Sequence, residues 1–355
     1  MVRKRFLGLL IPLLIVAMLN ACNVDAPSGT NPSSAPPTSL LPASTTVPSV
    51  SIGTTAQPTE PSVPARWEGR PEGTTAVMSL NVLTTAKAPI YETQRNGATR
   101  CEAFLEMMED CMPDSIGLCE VTNVWLYFLQ DNICADLPYG ICGKVSSSGQ
   151  ALRASSGELN PILYRNDKYT VLEEGGYWLS STPDIPSKYG PLTSEDGATT
   201  YEGMYFARAY SYAVFQWKDS GEVAYIHINT HLDHKSDSHV DLLCTQQIKA
   251  SADLLQDRFD CPVVITGDFN EREDHLGYLY LADPVNGYVN AKYQTDDYSK
   301  LTTAGGYGTN YQRGYHHVID HVFLSCDDAT VVKHDVLELP YLSDHSPVYV
   351  ELILP

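Results

Sequence analysis

The sequence predicts an α/β (α+β) fold in which two packed, mostly antiparallel β-sheets carry helices on their outer faces. Three observations predict it. Short apolar runs follow one another along the chain, helical patterns are interleaved with them, and several runs end on an acid, an amide or a histidine. Runs of this length and β-branched content are typical of buried strands.

The first 21 residues indicate export. Basic residues at 3–5 precede an apolar run from Phe6 to Leu19, which is shorter than the roughly 20 residues that cross a bilayer. This pattern predicts a signal peptide over residues 1–21. Leu19–Cys22 resembles the lipobox of bacterial lipoproteins, so we expect Cys22 to carry a lipid anchor at the extracellular face of a bacterial membrane, with secretion after plain cleavage as the alternative.

Residues 22–72 are predicted to form a tether. The stretch Pro27–Pro64 is rich in Ser, Thr and Pro, and Glu60 is its only charged residue. Such a segment cannot bury enough apolar surface to offset its ordering entropy. The remaining residues, 73–355, suffice for one large domain, which we expect to be monomeric.

The formal net charge of −20 limits the classes of molecule that the chain is expected to bind. A protein that binds duplex DNA is expected to show a basic stripe, and none is present in the sequence. The acidity favours small or zwitterionic substrates, or anions that a metal ion brings in. Nucleic acid stays an alternative partner.

The first third of the domain alternates strands with helices. A strand over Ala76–Val82 carries Asn81 near its end, and a strand over Ser115–Val121 ends on Glu120. Helical spacing follows the first strand at residues 101–108, and a helix begins at Val124. Cys134 and Cys142 flank a predicted turn at residues 137–140 and are the most plausible pair for a disulfide, which export permits.

The middle of the domain is predicted to be rich in antiparallel pairs. Asn160–Arg165 and the run starting at Tyr169 predict a hairpin, and a long irregular stretch from about residue 180 to 203 follows. Ala207–Trp217 and Val223–Thr230 predict a second antiparallel pair, and His231 follows its second strand.

A helix over Val240–Phe259 leads into the strand Val263–Thr266, which ends in Gly267, Asp268 and Asn270. Glycine lets the backbone approach a ligand closely, and the spacing of two puts acid and amide on one side. An ionised Asp accepts hydrogen bonds and suits deprotonating a water, whereas an Asn amide also donates and can hold an anionic oxygen.

The last part is predicted to be mostly loop over 271–316, where tyrosines at 307, 311 and 315 offer a stacking surface. Three strands follow. Val318–Leu324 embeds Asp320, a second strand covers Val331–Leu339, and Asp344 and His345 precede the last.

Six segments in this order resemble the endonuclease/exonuclease/phosphatase superfamily of metal-dependent phosphoesterases. The match spans residues 75–354, and the segments are Ser79–Val82, Leu118–Val121, Thr230–His234, Gly267–Asn270, Ile319–Phe323 and Ser343–Pro347. The resemblance implies a four-layer α/β sandwich with the site at one end of the two sheets.

The resemblance also implies a role for each matching residue. Glu120 would be the principal ligand of Mg²⁺, or of Mn²⁺, with Asn81 assisting and Asp344 nearby. Asp268 would activate the attacking water, and Asn270 would hold a phosphate oxygen. His345, oriented by Asp320, would contact or protonate phosphate oxygens, and His231 would donate to the phosphate.

The sequence alone also allows structural roles for some of these residues. Glu120 could be a buried ion-pair partner, Asp320 a loop cap and His231 a structural residue. His234 and His321 are expected to support the site or the fold rather than to be catalytic, and the role of Asp233 is undecided. We expect an exported, lipid-anchored phosphoesterase that hydrolyses a small-molecule or lipid phosphoester. The alternatives are an extracellular nuclease and a binding protein with a degenerate site.

Overall fold

The computed structural model of the protein describes residues 70–94, 96–147, 149, 157–306, 317–325 and 329–355. The predicted signal peptide, Cys22, almost all of the predicted tether and the tyrosines 307, 311 and 315 lie outside the described residues. Among the described residues, no helix combines the length and the apolar character that crossing a bilayer requires.

Two six-stranded sheets form the centre of the fold in the described residues. The strands of the first sheet are β1 (Thr75–Asn81), β2 (Ser115–Cys119), β3 (Tyr139–Cys142), β4 (Ile162–Arg165), β13 (Thr330–Val336) and β14 (Val348–Ile353). Those of the second are β5 (Tyr169–Trp178), β8 (Ala209–Trp217), β9 (Val223–His231), β10 (Val263–Asp268), β11 (Tyr288–Asn290) and β12 (Asp320–Ser325). The first sheet has the spatial order β13-β14-β1-β2-β4-β3 and the second the order β11-β12-β10-β9-β8-β5.

Helices cover the outer face of each sheet. In the part of the chain that the structure describes, they are α1 (Arg100–Cys111), α2 (Asn123–Phe128), α3 (Cys134–Asp136), α4 (Ser238–Phe259) and α5 (Leu276–Ala282), with a π-helical turn at Leu129–Ile133 and 3₁₀ turns at Pro284–Asn286 and Ala291–Tyr293. A small hairpin, β6 (Leu192–Thr193) and β7 (Thr200–Tyr201), lies within the long irregular stretch.

Strand alternation separates the layers. In β1, Ala76, Met78 and Leu80 pack with α1 and α2, whereas Val77 faces the other sheet and joins Val264 of β10. Successive side chains of a strand point to opposite faces, so one strand serves two apolar layers. The result is the four-layer α/β sandwich that the resemblance implies, and the fold prediction is confirmed.

Each sheet has one parallel pair at its centre. β1 runs parallel to β2, and β10 runs parallel to β9, while the other pairings are antiparallel. Parallel neighbours end at the same edge of a sheet. The polar residues that follow these four strands therefore meet at one end of the sandwich.

The predicted hairpin of Asn160–Arg165 with Tyr169 is wrong. β4 belongs to the first sheet, and β5 pairs with β8 in the second, so the short link between them carries the chain from one sheet to the other. The predicted loop over 271–316 contains α5 and β11. Glu271 caps α5, because its Oε1 accepts from the N–H of Gly277 at 3.3 Å, which a pattern of apolar residues does not reveal.

The expected disulfide is also wrong. Cys134 and Cys142 are both free thiols in the described structure, and the predicted turn between them is the start of β3 at Tyr139. Cys142 points into the layer between the two sheets, whereas Cys134 packs against the helical layer outside the first sheet. The sheet itself separates the two thiols.

Candidate active site

The candidate site lies where the ends of the central strands of both sheets meet. Asn81 ends β1, Glu120 follows β2, His231 ends β9 and Asp268 ends β10. Asp320 opens β12 directly opposite Asp268 in the antiparallel register. The fold thus brings together residues that are far apart in the chain.

Asn81 joins the two sheets at this end. Its amide nitrogen donates to Oε1 of Glu120 at 3.2 Å and to Oδ2 of Asp268 at 2.9 Å. Its amide oxygen accepts from the N–H of Leu83 at 3.0 Å. One side chain therefore holds the carboxylates of Glu120 and Asp268 at a set separation.

Glu120 is buried, and its backbone has a left-handed conformation with φ of 61°. Oε2 accepts from the N–H of Thr84 at 2.8 Å, and Nζ of the exposed Lys87 lies 3.8 Å from Oε1. Leu83 and Asn270, with φ of 58° and 51°, also have this conformation and flank the site. Such backbone costs about 1–2 kcal/mol for a residue with a Cβ, so its concentration here points to function.

Asp268 is the centre of the site. Its side chain is about 2 % exposed, and Nε2 of His231 and Nε2 of His345 face the same oxygen, Oδ2, at 3.5 and 3.7 Å. Burial raises the pKa of Asp268 to about 6; the charge on His345 opposes the rise and Asp320 adds to it. A carboxylate with a pKa close to neutral pH suits a general base.

Gly267 makes this position of Asp268 possible. An added Cβ at residue 267 would lie 2.3 Å from the carbonyl oxygen of Thr230 in the neighbouring strand. A contact that short would force β9 and β10 apart. The sequence predicted a close approach to a ligand at this glycine, and the structure gives a different reason for it, the neighbouring strand β9.

His345 is paired with an acid. Its Nδ1 donates to Oδ2 of Asp320 at 2.8 Å. Burial by itself lowers the pKa of His345, but Asp320 and then Asp268 outweigh it, so the pKa stands well above its ordinary value. The carboxylate orients the ring and leaves Nε2–H directed into the site.

His231 is paired with a base instead. Its Nδ1 lies 3.0 Å from Nη1 of Arg208, and the same Nη1 donates to Oε2 of Glu158 at 3.1 Å. Burial and then the charge of Arg208 hold the pKa of His231 well below its ordinary value. The two histidines therefore approach one carboxylate with different partners behind them.

Two further predicted residues lie beside this group. The backbone N–H of Asn270 donates to Oδ1 of Asp268 at 2.9 Å, and its side-chain amide donates to the carbonyl of Leu232 at 3.0 Å. Asp344 precedes His345, and its Oδ1 accepts from the hydroxyl of Ser343 at 3.4 Å. Its charge also helps to raise the pKa of His345.

The surroundings of Glu120 fit a hard divalent cation such as Mg²⁺. Hydrogen bonds from Asn81 and Thr84 each use one lone pair of the buried Glu120 carboxylate, and Lys87 is exposed and 3.8 Å away, so further lone pairs of this carboxylate can bind a cation. Glu120 and Asp344 supply carboxylate oxygens, the donors that Mg²⁺ prefers. The amide oxygen of Asn81 already accepts from Leu83 and keeps one lone pair for a cation. Asp268, Asp320 and His345 also have ligand atoms within 4.8 Å of one another, but Nδ1 of His345 is already engaged in the hydrogen bond with Asp320.

The residues left open by the sequence have structural partners. Oδ2 of the buried Asp233 accepts from the backbone N–H of Tyr205 and, at 2.9 Å, from that of Phe206. The ring of His234 stacks on Phe206 at 5.6 Å. His321 is buried behind the site, and its Nε2 lies 2.9 Å from the carbonyl oxygen of Glu271.

The sequence patterns did not assign roles to several residues at the site, namely Lys87, Glu158, Tyr205, Phe206 and Arg208. Arg208 carries the one usable signal, because a cation directly before an apolar strand must find a partner when it is buried. The aromatic pair Tyr205 and Phe206 is 60 % and 43 % exposed, and Nζ of Lys235 lies 4.1 Å from the ring centre of Tyr205.

Comparisons with known proteins agree with this fold. The sequence profile of the Endonuclease/Exonuclease/phosphatase family matches residues 78–345. No curated protein sequence matches the chain.

Solved structures share the fold. A family protein from Bacteroides thetaiotaomicron is 24% identical with a TM-score of 0.62, covering 80% of this chain and 96% of its own. One from Bacteroides vulgatus is 21% identical with a TM-score of 0.64, covering 79% and 99%. A mannosyl-6-phosphatase from Bacteroides thetaiotaomicron VPI-5482 is 24% identical with a TM-score of 0.63, covering 79% and 100%.

Proposed function

The chain belongs to the Endonuclease/Exonuclease/phosphatase family, and we propose that it is a Mg²⁺-dependent phosphoesterase of small-molecule or lipid-headgroup phosphoesters. One observation carries the proposal. Oδ2 of Asp268 faces both His231 and His345, at 3.5 and 3.7 Å, and it is joined through Asn81 to Glu120. A base, two N–H donors and a cation-binding acid thus surround one point at the surface end of the sheets.

Each residue has a distinct role in this proposal. Asp268 takes a proton from the attacking water, and His231 donates a hydrogen bond to a phosphoryl oxygen. His345, held by Asp320, donates to phosphoryl oxygens, and Asn270 contributes an amide. A divalent cation held by Glu120, Asn81 and Asp344 would supply positive charge against the phosphoryl group.

The surface beside the site favours a substrate with a ring. Tyr205 and Phe206 are exposed next to the site, because Cζ of Arg208 lies 5.6 Å from the ring centre of Phe206 and its Nη1 contacts His231. Lys235 and Lys188 add positive charge beside the Tyr205 ring in a chain whose net charge is −20. A sugar phosphate fits such a rim, and the fold shared with a mannosyl-6-phosphatase supports testing a hexose 6-phosphate.

The proposed setting is the extracellular face of a bacterial membrane. It rests on the signal-like residues 1–21, the cysteine at position 22 and the Ser/Thr/Pro-rich residues that follow. We propose a lipid anchor at Cys22 that keeps a monomeric domain at the surface. Growth with labelled palmitate would label the wild-type chain and leave Cys22→Ser unlabelled; equal labelling would contradict the anchor.

Hydrolysis assays test the chemistry. Bis(p-nitrophenyl) phosphate, p-nitrophenyl phosphate, mannose 6-phosphate and plasmid DNA would each be offered to the full chain with Mg²⁺, with Mn²⁺ and with EDTA. We expect turnover of an ester or sugar phosphate that EDTA abolishes. The variants Asp268→Asn and Glu120→Ala should lose it, while Tyr127→Ala, at an exposed position on α2, should keep it.

The outcomes separate the alternatives. Plasmid cleavage that exceeds turnover of the small esters would favour the extracellular nuclease. Metal-independent turnover, or full activity in Glu120→Ala, would contradict the proposed chemistry. A folded protein without turnover on any of the four substrates would favour a binding protein with a degenerate site.

A further inference from the structure

The two histidines of the site differ in the partner of their outer nitrogen. Nδ1 of His345 faces an acceptor, the carboxylate of Asp320, at 2.8 Å. Nδ1 of His231 faces Nη1 of Arg208 at 3.0 Å. The inner nitrogens of both rings face the same oxygen of Asp268.

The chemistry of arginine decides the proton position on His231. A guanidinium carries five N–H donors and no acceptor, and it stays protonated. A hydrogen bond of 3.0 Å between Arg208 and Nδ1 therefore requires Nδ1 to be the acceptor. Oε2 of Glu158, the nearby carboxylate, lies 4.0 Å from Nδ1, beyond hydrogen-bond distance.

Arg208 is held firmly in this position. Its side chain is 6% exposed, Nη1 donates to Glu158 at 3.1 Å, and the guanidinium lies over the ring of Phe206. One Nη1 group has two hydrogens, so it can serve Glu158 and His231 at once. Burial and the charge of Arg208, which lower the pKa of His231, act in the same direction.

We propose that Arg208 is a positioning residue that holds His231 as the neutral Nε2–H tautomer. His231 is then a pure hydrogen-bond donor toward the phosphoryl group and takes no part in proton transfer. This inference rests on the proposed phosphoesterase function for its catalytic meaning. The tautomer itself is a property of the folded chain that can be measured without any substrate.

Two-bond ¹H–¹⁵N correlation spectra of the ¹⁵N-histidine-labelled full chain test it. The signals of His231 are identified by their loss in His231→Gln. We expect a proton on Nε2 and an unprotonated Nδ1 in the wild type, and the same pattern in Arg208→Lys, which keeps a donor. In Arg208→Met, which has none, the Nδ1–H or the charged form should become populated.

Kinetics add a second readout. Loss of a residue that orients a catalytic group typically costs 10–100-fold, so we expect kcat of Arg208→Met to fall by about that factor with a smaller change in KM. The matched control is Arg258→Met, which removes an arginine paired with Glu173 on the surface and should leave both spectra and kinetics unchanged.

The outcomes test the role of Arg208 and the phosphoesterase function separately. A proton on Nδ1 of His231 in the wild type, or an unchanged tautomer in Arg208→Met, would overturn the role of Arg208. If Arg208→Met does not fold, the wild-type and Arg208→Lys spectra still decide the tautomer. A chain without turnover on any phosphoester would refute the proposed function while leaving the measured tautomer as it is.

Discussion

Replacing Asp268 by Asn should remove most of the activity without weakening the fold. Asp268 is buried at the end of β10, and its two oxygens accept from different donors, Oδ2 from Asn81 and Oδ1 from the N–H of Asn270. An amide of the same shape removes the charge and the capacity to accept a proton. A general base contributes typically 10²- to 10⁴-fold, so kcat should fall by about that factor.

Two opposing terms set the stability of the variant. The pKa of Asp268 rises from 3.8 to about 6, which is a charge cost of about 3 kcal/mol at about 1.4 kcal/mol per pKa unit. The acid is protonated in both states below about pH 4, so wild-type stability falls as pH rises toward 6. In the variant, the side-chain amide N–H₂ replaces an accepting oxygen and faces a hydrogen-bond donor, which lowers stability by about 1–3 kcal/mol.

The net change at pH 7 is therefore between zero and about 2 kcal/mol in favour of Asp268→Asn. This corresponds to a Tm that is unchanged or a few degrees higher. Thermal unfolding of both proteins in EDTA, from pH 4 to pH 8, measures it. The difference in Tm between variant and wild type should grow in favour of the variant between pH 4 and pH 6.

The control is Asp241→Asn in α4. Burial raises the pKa of Asp241 to about 7, and its carboxylate is outside the site, so this variant should also gain stability with pH while keeping full activity. A parallel loss of activity and Tm in Asp268→Asn would refute the reasoning, because it would make Asp268 a structural residue. So would a pH dependence of Tm identical to that of the wild type.

Three further changes have defined outcomes. Burial and then the charge of Asp241 raise the pKa of Glu271 to about 8, so the free energy of unfolding measured in urea should fall between pH 5 and 8. Glu271→Gln should weaken this pH dependence, and an equal pH dependence in the variant would contradict the role of Glu271. Gly117→Ala places a Cβ 2.2 Å from Oγ1 of Thr266, so it should lower the free energy of unfolding by about 1–3 kcal/mol and lower Tm. An unchanged Tm would show that the two sheets shift and relieve the contact. Phe206→Ala should raise KM for a hexose phosphate by about 2- to 10-fold and leave KM for glycerol phosphate unchanged. Equal effects on the two substrates would contradict a contact between Phe206 and the sugar ring.

The fold was predictable because its main elements carry strong periodicity. The helix predicted over Val240–Phe259 is α4, and the strands predicted to begin at Ala76 and Val263 are β1 and β10. The errors fall where tertiary contacts decide. β5 pairs with β8 across a sheet rather than with its neighbour in sequence, and α5 depends on the buried cap of Glu271.

The site was predictable in composition and only partly in contacts. Strand ends predict where Asn81, Glu120, His231 and Asp268 meet, since parallel strands deliver their last residues to one edge. The bridging role of Asn81 depends on a hydrogen bond to Asp268 across 187 positions of the chain, which no local pattern encodes. The same holds for the exposed rings of Tyr205 and Phe206, whose position follows from the backbone hydrogen bonds of these two residues to Asp233.

The two histidines show why residue type alone does not give a role. The partner of His231 lies 23 positions from it in the chain, and that of His345 lies 25 positions from it. The spacing is nearly equal, yet one partner is an arginine and the other an aspartate. An acid behind the ring favours the charged imidazole, whereas a guanidinium requires a neutral ring with its proton on the far nitrogen. The division of labour at Asp268 therefore follows from two residues, Arg208 and Asp320, neither of which needs to touch the substrate.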